Sequence, residues 1–403
     1  MSIRFVHQYF HPDRSSVSQI ISKIAFHLAG QGELVSVICS RNKYDGAQAD
    51  TLPANEIVRG VDIRRCWGPS FGRRSLSGYM IDMVSFCAIA TLRSMLAPKA
   101  DTVVFLTNPP FFSLLGVALK RIRKERFVFI LMDVYPEIAI QGGMLSKGGI
   151  GEIVLRRIAR VSLRNADCVV VLGDDMREVA IREGAPPGKV VIVRNWADPE
   201  AIVPVQPDNN ILRREWGLDG KFVIQYSGNF GVSHFFEDIM AVAEELVVYD
   251  DLRFVFVGGG TRYKEVEQFR REKYISNIIL KPYCDESILA ENLSVGDVHY
   301  ISLRTGFEGL VVPSKAYGIM AAGRPIIYQG AADGEIARMV AEEGIGYVIP
   351  PGDRKGLRDS ILSLYRDEKS RIRMGAAARR ALEDKYSSAG GLAAYQKILA
   401  KDH

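Results

Sequence analysis

Short apolar runs rich in β-branched residues alternate along this chain with longer segments whose apolar residues recur every three or four positions. That rhythm predicts parallel sheets covered by helices, because strands buried on both faces read as continuous apolar runs and need a crossover helix between them. In the first half the predicted strands are IRFVHQYF, LVSVICS, TVVFLT, RFVFILMD, CVVVLG and VVIVRN. In the second half they are FVIQYSG, RFVFVGGG, NIILKPY, VHYISL, PIIYQG and GYVIP. SVSQIISKIAFHLAGQG shows the helical period, with Ile20, Ile21, Ile24, Ala25 and Leu28 near one face. The stretch 194–210 is rich in Pro, Asp and Asn and lacks a period, which marks the boundary between two doubly wound α/β units. Such units carry ligand-ready loops at the carboxyl ends of their strands, and two of them leave a cleft suited to two substrates.

Length agrees: 403 residues exceed one ordinary core. At 47% hydrophobic and 25% charged residues, the composition is that of a globular protein. The five cysteines are odd in number and scattered in apolar runs, without a Cys-x-x-Cys spacing, and read as small core residues in a reducing compartment. A first strand starting almost at Met1 leaves no room for an export signal, so a cytoplasmic location is expected. The segment from Tyr79 to Leu96 is the nearest to a membrane span. Interrupted by Asp82 and Arg93, it reads as a largely buried helix, with an interfacial helix as the minority reading.

Net charge is +5 but unevenly shared: residues 1–200 hold 26 Lys/Arg against 19 Asp/Glu, leaving 26 against 28 for the remainder. The basic clusters KRIRKER (Lys120 to Arg126) and RRIARVSLR (Arg156 to Arg164) are solvated helix faces or a docking surface for an anionic membrane. No aromatic-interleaved basic stripe or recognition motif points to nucleic acid.

Candidate chemistry gathers in the loops. YSGNFGVSHF places Gly228, Asn229 and Gly231 between a strand and a helix, where backbone approaches a phosphate closely, and His234 follows. VGGG repeats the theme at Gly258, although neither turn is a G-x-G-x-x-G or Walker sequence, which argues against dinucleotide oxidoreductase chemistry. LRTGFEGLVVPSKAYGIMAAG sets Ser314 at a helix start as its cap and Lys315 in the first turn, where the helix dipole disfavours a cation. A diphosphate bound there, paired with Lys315 and Arg304, reverses that penalty. Asp133 and Glu137 follow the strand RFVFILM; each either orients an acceptor hydroxyl or caps a turn. His11, with Arg14 and Ser15, follows the first strand as a candidate contact for an acceptor or a phosphate. The acidic pair Asp174 and Asp175 reads as a helix start rather than a metal site.

YSGNFG, VFVGGG, GFEGLVVPSKAYGIMAAGRPII and GIGYVIPPGD together resemble the nucleotide-sugar-binding domain of glycosyltransferase family 4, a retaining family with the GT-B fold. YFHPDRSSVSQ, TNPPFF and DVYPEIAIQGGML resemble its subgroup that assembles O-antigen, capsule and exopolysaccharide. The resemblance implies an acceptor-binding domain over 1–198, joined by a C-terminal helix at about 386–403 packing back on it, and a donor-binding domain over 199–385. It implies a donor base near Lys281, Pro282 and Tyr283. The diphosphate falls near Gly228, Asn229, Arg304, Ser314 and Lys315, with Gly309, Leu310, Val311 and Pro313 along the same loop. It also implies Glu308 as a sugar contact, and Asn108 in the acceptor domain where many members have a histidine.

The chain departs from the family where a second glutamate is usual: Ala316 stands at the expected spacing after Glu308, and alignment on MAAGRP puts Gly318 there. The expected activity is retaining, metal-independent transfer from a nucleotide sugar, UDP-sugar favoured, without further cofactor. The expected acceptor is a polyprenyl-diphosphate-linked saccharide at the inner membrane face. In that chemistry Lys315 and Arg304 meet the charge on the departing phosphate. A nucleotide-sugar 2-epimerase on the same fold and an inactive nucleotide-binding scaffold are the alternatives.

Overall fold

The computed structural model describes residues 1–13, 15–42, 52–71 and 76–400. The chain forms two units, Met1–Val193 with Leu392–His403, and Arg194–Gly391.

In the first unit eight strands lie in the order β3-β4-β2-β1-β5-β6-β7-β8. They are β1 (Ser2–Val6), β2 (Leu34–Ser40), β3 (Asn55–Val58), β4 (Val61–Cys66), β5 (Thr102–Leu106), β6 (Arg126–Ile130), β7 (Cys168–Val171) and β8 (Val190–Ile192). All neighbours are parallel except β3, which pairs antiparallel to β4. The six predicted strands are present. The β3–β4 hairpin was not expected, because β3 is a half-exposed edge strand with no apolar run to announce it. Crossover helices include α1 (Ser16–Gly30), α2 (Leu76–Leu96), α3 (Ser113–Arg123), α4 (Glu137–Gln141), α5 (Ile150–Asn165) and α6 (Asp174–Arg182). The expectation of a largely buried helix before β5 fails: only 33% of the apolar window in Ser77–Leu96 is buried.

In the second unit six parallel strands run in the order β11-β10-β9-β12-β13-β14. They are β9 (Phe222–Asn229), β10 (Leu252–Gly259), β11 (Ile278–Lys281), β12 (Val298–Ser302), β13 (Ile326–Gln329) and β14 (Gly346–Ile349). Helices of this unit include α7 (Ile211–Glu215), α8 (Glu237–Glu245), α9 (Tyr263–Glu272), α10 (Leu289–Leu293), α11 (Lys315–Ala321), α12 (Glu335–Glu342), α13 (Arg354–Arg366) and α14 (Glu368–Lys385). The strand order reverses direction at β9 and β12, the switch point where doubly wound sheets bind ligands. A core of Phe222, Ile224, Phe254, Phe256, Tyr300 and Ile327 fixes these strands from one side.

The boundary falls between Val193 and Arg194, ahead of the expected 198/199. Trp196 and Ala197 already belong to the second unit: Ala197 bridges Ser387, and the Trp196 ring lies where a Cβ on Gly391 would sit. The last helix, α15 (Ser388–Leu399), then enters the first unit, where Arg126 donates to the Ile398 carbonyl at 2.8 Å and His27 contacts Gln396 at 3.2 Å.

Candidate donor and acceptor sites

At the carboxyl ends of β9 and β10, Gly228 and Gly258 are register partners with φ of 134° and 138°. A Cβ on Gly258 would lie 2.0 Å from the Gly228 carbonyl oxygen, so the two backbones meet where no side chain fits. The turn beyond is set by packing. Phe230 stacks on Phe236 at 4.8 Å and Tyr226 meets both rings edge-on, all three buried. Tyr226 donates its hydroxyl to the Asn229 carbonyl at 2.6 Å. Arg262 reaches over from the start of α9 and donates to the His234 carbonyl at 2.6 Å, holding the returning loop.

Into this frame runs Lys315, the first residue of α11. Its ammonium lies 3.9 Å from the centre of the Tyr226 ring, donates to the Tyr226 hydroxyl at 2.5 Å, and stands 3.3 Å from His234 Nε2. His234 Nδ1 faces the Ser302 carbonyl, which can only accept, so Nδ1 carries the proton and Nε2 turns a lone pair to Lys315. Burial and the lysine charge both hold the imidazole far below its ordinary pKa, keeping it neutral. Burial likewise pulls Lys315 well below the ordinary lysine range. All its polar neighbours are neutral, and among the described residues no carboxylate pairs with it. A Cβ on Gly228 would lie 3.5 Å from Lys315 Cε, so the lysine crosses the open backbone of the glycine turn. An anion arriving there meets a cation that the protein leaves without a counter-ion.

Arg304 places its guanidinium in solvent with no ion pair among the described residues, while its backbone N–H donates to the Ser233 carbonyl at 2.8 Å. Glu308 accepts from the Gly306 N–H at 2.6 Å and keeps Oε1 buried without a partner. Gly309, at φ 69°, turns the chain under Leu310 and Pro313, which are buried, with Val311 half-buried between them. Ser314 corrects the expectation of a cap: it has helical backbone angles, is exposed, and makes no side-chain hydrogen bond to the helix start. Tyr283 presents an exposed ring against Gly259, to whose carbonyl it donates at 3.0 Å, beside the exposed Pro282. Lys281 is directed to the Trp216 ring at 5.1 Å. Gly231 lies close to Asn229, 3.3 Å from its amide if given a Cβ. At Gly318 a Cβ would meet Leu293 Cδ1 at 3.1 Å, so an aliphatic side chain crowds the place of the family's second glutamate.

The acceptor candidates fare differently. Asp133 follows β6 with its N–H on Thr107 Oγ1 at 3.3 Å, and burial pushes its carboxyl up to about 6. Asn108 is half-buried just beyond the end of β5. Glu137 is not free: Arg156 holds it at 2.5 Å and also holds Glu152 and Glu183, at 2.9 and 2.8 Å. His11 packs its ring on Phe26 at 5.4 Å and gives its carbonyl to Arg65, the arrangement of a structural histidine. Ser15 donates to Asp13 at 2.6 Å. Arg14 lies outside the described residues. The basic clusters are partly neutralised within the fold, through Lys120–Asp167, Arg123–Glu125, Arg156 and Arg160–Glu183.

Sequence reasoning missed Tyr226, whose ring and hydroxyl hold Lys315. Its signal was a tyrosine one turn of strand ahead of the Gly228 turn, on the same carboxyl end as the lysine loop.

Two doubly wound units, one carrying a glycine-lined, cationic cradle at its switch point, define the GT-B class of glycosyltransferases. The family description "Glycosyl transferase 4-like domain" matches residues 17–196 and "Glycosyl transferases group 1" matches residues 221–367. The chain is 32% identical over 296 residues to "Probable glycosyltransferase WbjE" of Pseudomonas aeruginosa, covering 72% of each protein. It is 24% identical over 372 residues to WcaI of Escherichia coli K12, named for glycosyl transfer in colanic acid biosynthesis, covering 88% of this chain and 90% of WcaI. Among solved structures, the Anabaena protein HepE in complex with UDP and glucose superposes with a TM-score of 0.76 over 99% of both chains at 14% identity, a likeness of fold. The chain belongs to glycosyltransferase family 4.

Proposed function

We propose that this glycosyltransferase moves a sugar, with retention at the anomeric carbon, from a nucleoside-diphosphate sugar to a polyprenyl-diphosphate-linked saccharide in bacterial surface polysaccharide synthesis. The name of WcaI supports the polysaccharide setting, that of WbjE supports glycosyl transfer, and the UDP bound in HepE supports a UDP-sugar donor. The observation that carries the reading is Lys315: an ammonium beside the Gly228 turn, surrounded by Tyr226 and His234 and lacking a carboxylate. As the bond from the anomeric carbon to the phosphate oxygen breaks, negative charge collects on the departing diphosphate, next to Lys315 and Arg304. Stabilising that charge is the main electrostatic task of the reaction, and these two cations perform it without a resident metal. The acceptor hydroxyl oxygen forms the new glycosidic bond and passes its proton to the departing phosphate oxygen, with Asp133 as the residue of the first unit that orients the hydroxyl. Glu308 contacts the donor sugar, and Tyr283 with Pro282 forms a surface for the base. The enzyme works in the cytoplasm at the inner face of the cell membrane, where its lipid-linked acceptor resides.

A thermal-shift panel of UDP, GDP, dTDP and CMP on the wild type and Lys315→Ala tests the donor site, since a ligand that binds only the folded state raises its stability. UDP is expected to raise Tm in the wild type and lose that effect in Lys315→Ala. No stabilisation by any nucleotide at millimolar concentration would overturn the donor site.

A further inference from the structure

Helix α2 is built inside out. Over Ser77–Leu96 its length and composition are those of a membrane span, yet one side is packed into the first unit through Met83, Phe86, Cys87 and Ala90. The two charged residues of the described helix and Ser94 lie on or beside that inner side, while Ser85 and Thr91 turn their hydroxyls back to the helix's own carbonyls. Asp82 is 9% exposed and accepts from the Phe71 N–H, Arg93 donates to the Arg65 carbonyl, and Ser94 is fully buried. Ile81, Val84, Ala88, Leu92 and Leu96 recur at steps of three and four on the outer side, where Leu96 is 78% exposed. A helix facing water places these two sets the other way round. The apolar surface also extends beyond the helix. The segment before it carries the exposed Trp67 and Phe71 and lies along α2, with Gly68 against Ser85 and Phe71 on Asp82. At the other end Arg123 binds the carbonyls of Met95 and Ala97, which ties the end of α3, where Ile122 is 70% exposed, to the end of α2.

The rim at that end is cationic. Lys99, Arg121 and Lys124 are exposed and form no ion pair among the described residues; Arg121 donates only to the Asn165 amide oxygen. The nearby acids are already engaged, Glu125 by Arg4 and Arg123, Asp167 by Lys120, and Asp101 by Ser2.

We propose that the outer face of α2, with Trp67, Phe71 and Ile122 at its ends, lies in the interfacial layer of an anionic bilayer, with Lys99, Arg121 and Lys124 on its headgroups. An apolar stripe with a basic border is the pattern of a helix lying in a membrane surface. A second copy of the chain fits less well, because an isologous contact through this face would bring the same unpaired cations to both sides. A span is excluded by the inner half of the helix, which is part of the unit's core. This inference deepens the membrane-side part of the proposed function by naming the surface, and stands apart from the donor site.

The test is co-sedimentation of the full chain with vesicles of phosphatidylcholine alone and of phosphatidylcholine with about one third phosphatidylglycerol. The wild type is expected to bind the anionic vesicles. Leu92→Ser/Leu96→Ser should weaken that binding by about tenfold or more at low and high salt alike. Arg121→Gln/Lys124→Gln should weaken it at low salt and leave a residue insensitive to salt. These positions are exposed, and an unchanged thermal shift with UDP shows that each variant is folded and its donor site intact. Absence of wild-type binding, equal binding by Leu92→Ser/Leu96→Ser, or a concentration-dependent dimer abolished by that pair would each overturn the assignment. Loss of the UDP response in the wild type would instead count against the donor reading and leave the vesicle result standing.

Discussion

Arg156 and Lys315 are both cations at the functional ends of parallel sheets, and the fold treats them in opposite ways. Arg156 in the first unit is shared among Glu137, Glu152 and Glu183, and its charge is raised in stability by those contacts. Lys315 in the second unit meets an aromatic face, a hydroxyl and a neutral imidazole, and its charge is disfavoured. The first arrangement holds the fold together; the second leaves the lysine without a carboxylate partner, a place that the donor diphosphate takes in the proposed function. A basic residue in a motif therefore announces a binding site only when the folded protein has left its charge unspent.

The largest expected effects come from exchanging these two roles. Lys315→Met should weaken UDP binding by about 100-fold, the scale of one charge-assisted contact to phosphate in a shielded site, and weaken uridine binding little. Because burial depresses its pKa, the protonated lysine opposes folding at neutral pH, so the same variant should raise Tm or leave it unchanged. Arg156→Met should do the reverse: UDP affinity unchanged, stability lower by roughly 3 kcal/mol, as three partly buried carboxylates lose their cation. Isothermal titration and denaturant unfolding on both variants read the two outcomes side by side. A Lys315→Met protein that binds UDP normally would dissolve the contrast.

Asp133 sharpens the same distinction for an acid. A carboxyl raised to about 6 binds protons more readily folded than unfolded, so its ionised form costs stability above that pH and the cost disappears as pH falls toward 4. Asp133→Asn should therefore stabilise the protein by about 2 kcal/mol at pH 7.5 and far less at pH 4.5, while lowering transfer activity. Glu137→Gln, removed from the Arg156 cluster, should lower stability at both pH values. Equal pH dependence of unfolding for wild type and Asp133→Asn would show that the carboxyl is not held in an unfavourable site.

Much of this architecture is legible in the sequence because strands buried on both faces declare themselves as apolar runs, and LVSVICS is β2 residue for residue. The glycine turn and Lys315 were readable for a related reason: a glycine with φ beyond 130° and a lysine at a helix start are both locally unfavourable and ask for an explanation. Pairing was not readable. Glu137 and Arg156 are nineteen positions apart on different helices, and nothing local says that one consumes the other. Tyr226 looked like a strand residue until the lysine loop was seen to cross it. Helix α2 misled for the same reason in reverse, since an apolar composition does not say which face receives the charged residues.

The glutamate departure gives a finer test. At Gly318 a new side chain must displace Leu293, so Gly318→Glu should cost about 2 kcal/mol through overpacking, and Leu293→Ala in the same chain should return part of it by opening room. If the double variant also tightens UDP binding over uracil binding, the aliphatic side chain occupies a ribose subsite that other members fill with a carboxylate.

The smallest effect is expected at Ser314. An N-cap serine contributes about 1 kcal/mol through its hydrogen bond to the helix start, and Ser314 makes no such bond. Its hydroxyl is exposed beside Lys315, available to a phosphate oxygen but not needed by the fold. Ser314→Ala should thus change unfolding free energy by less than about 0.5 kcal/mol while weakening UDP binding several-fold, and UMP or uridine binding less. A loss of stability near 1 kcal/mol would restore the serine to the helix; unchanged UDP affinity with unchanged stability would remove it from the donor site and leave Lys315 and Arg304 to hold the diphosphate.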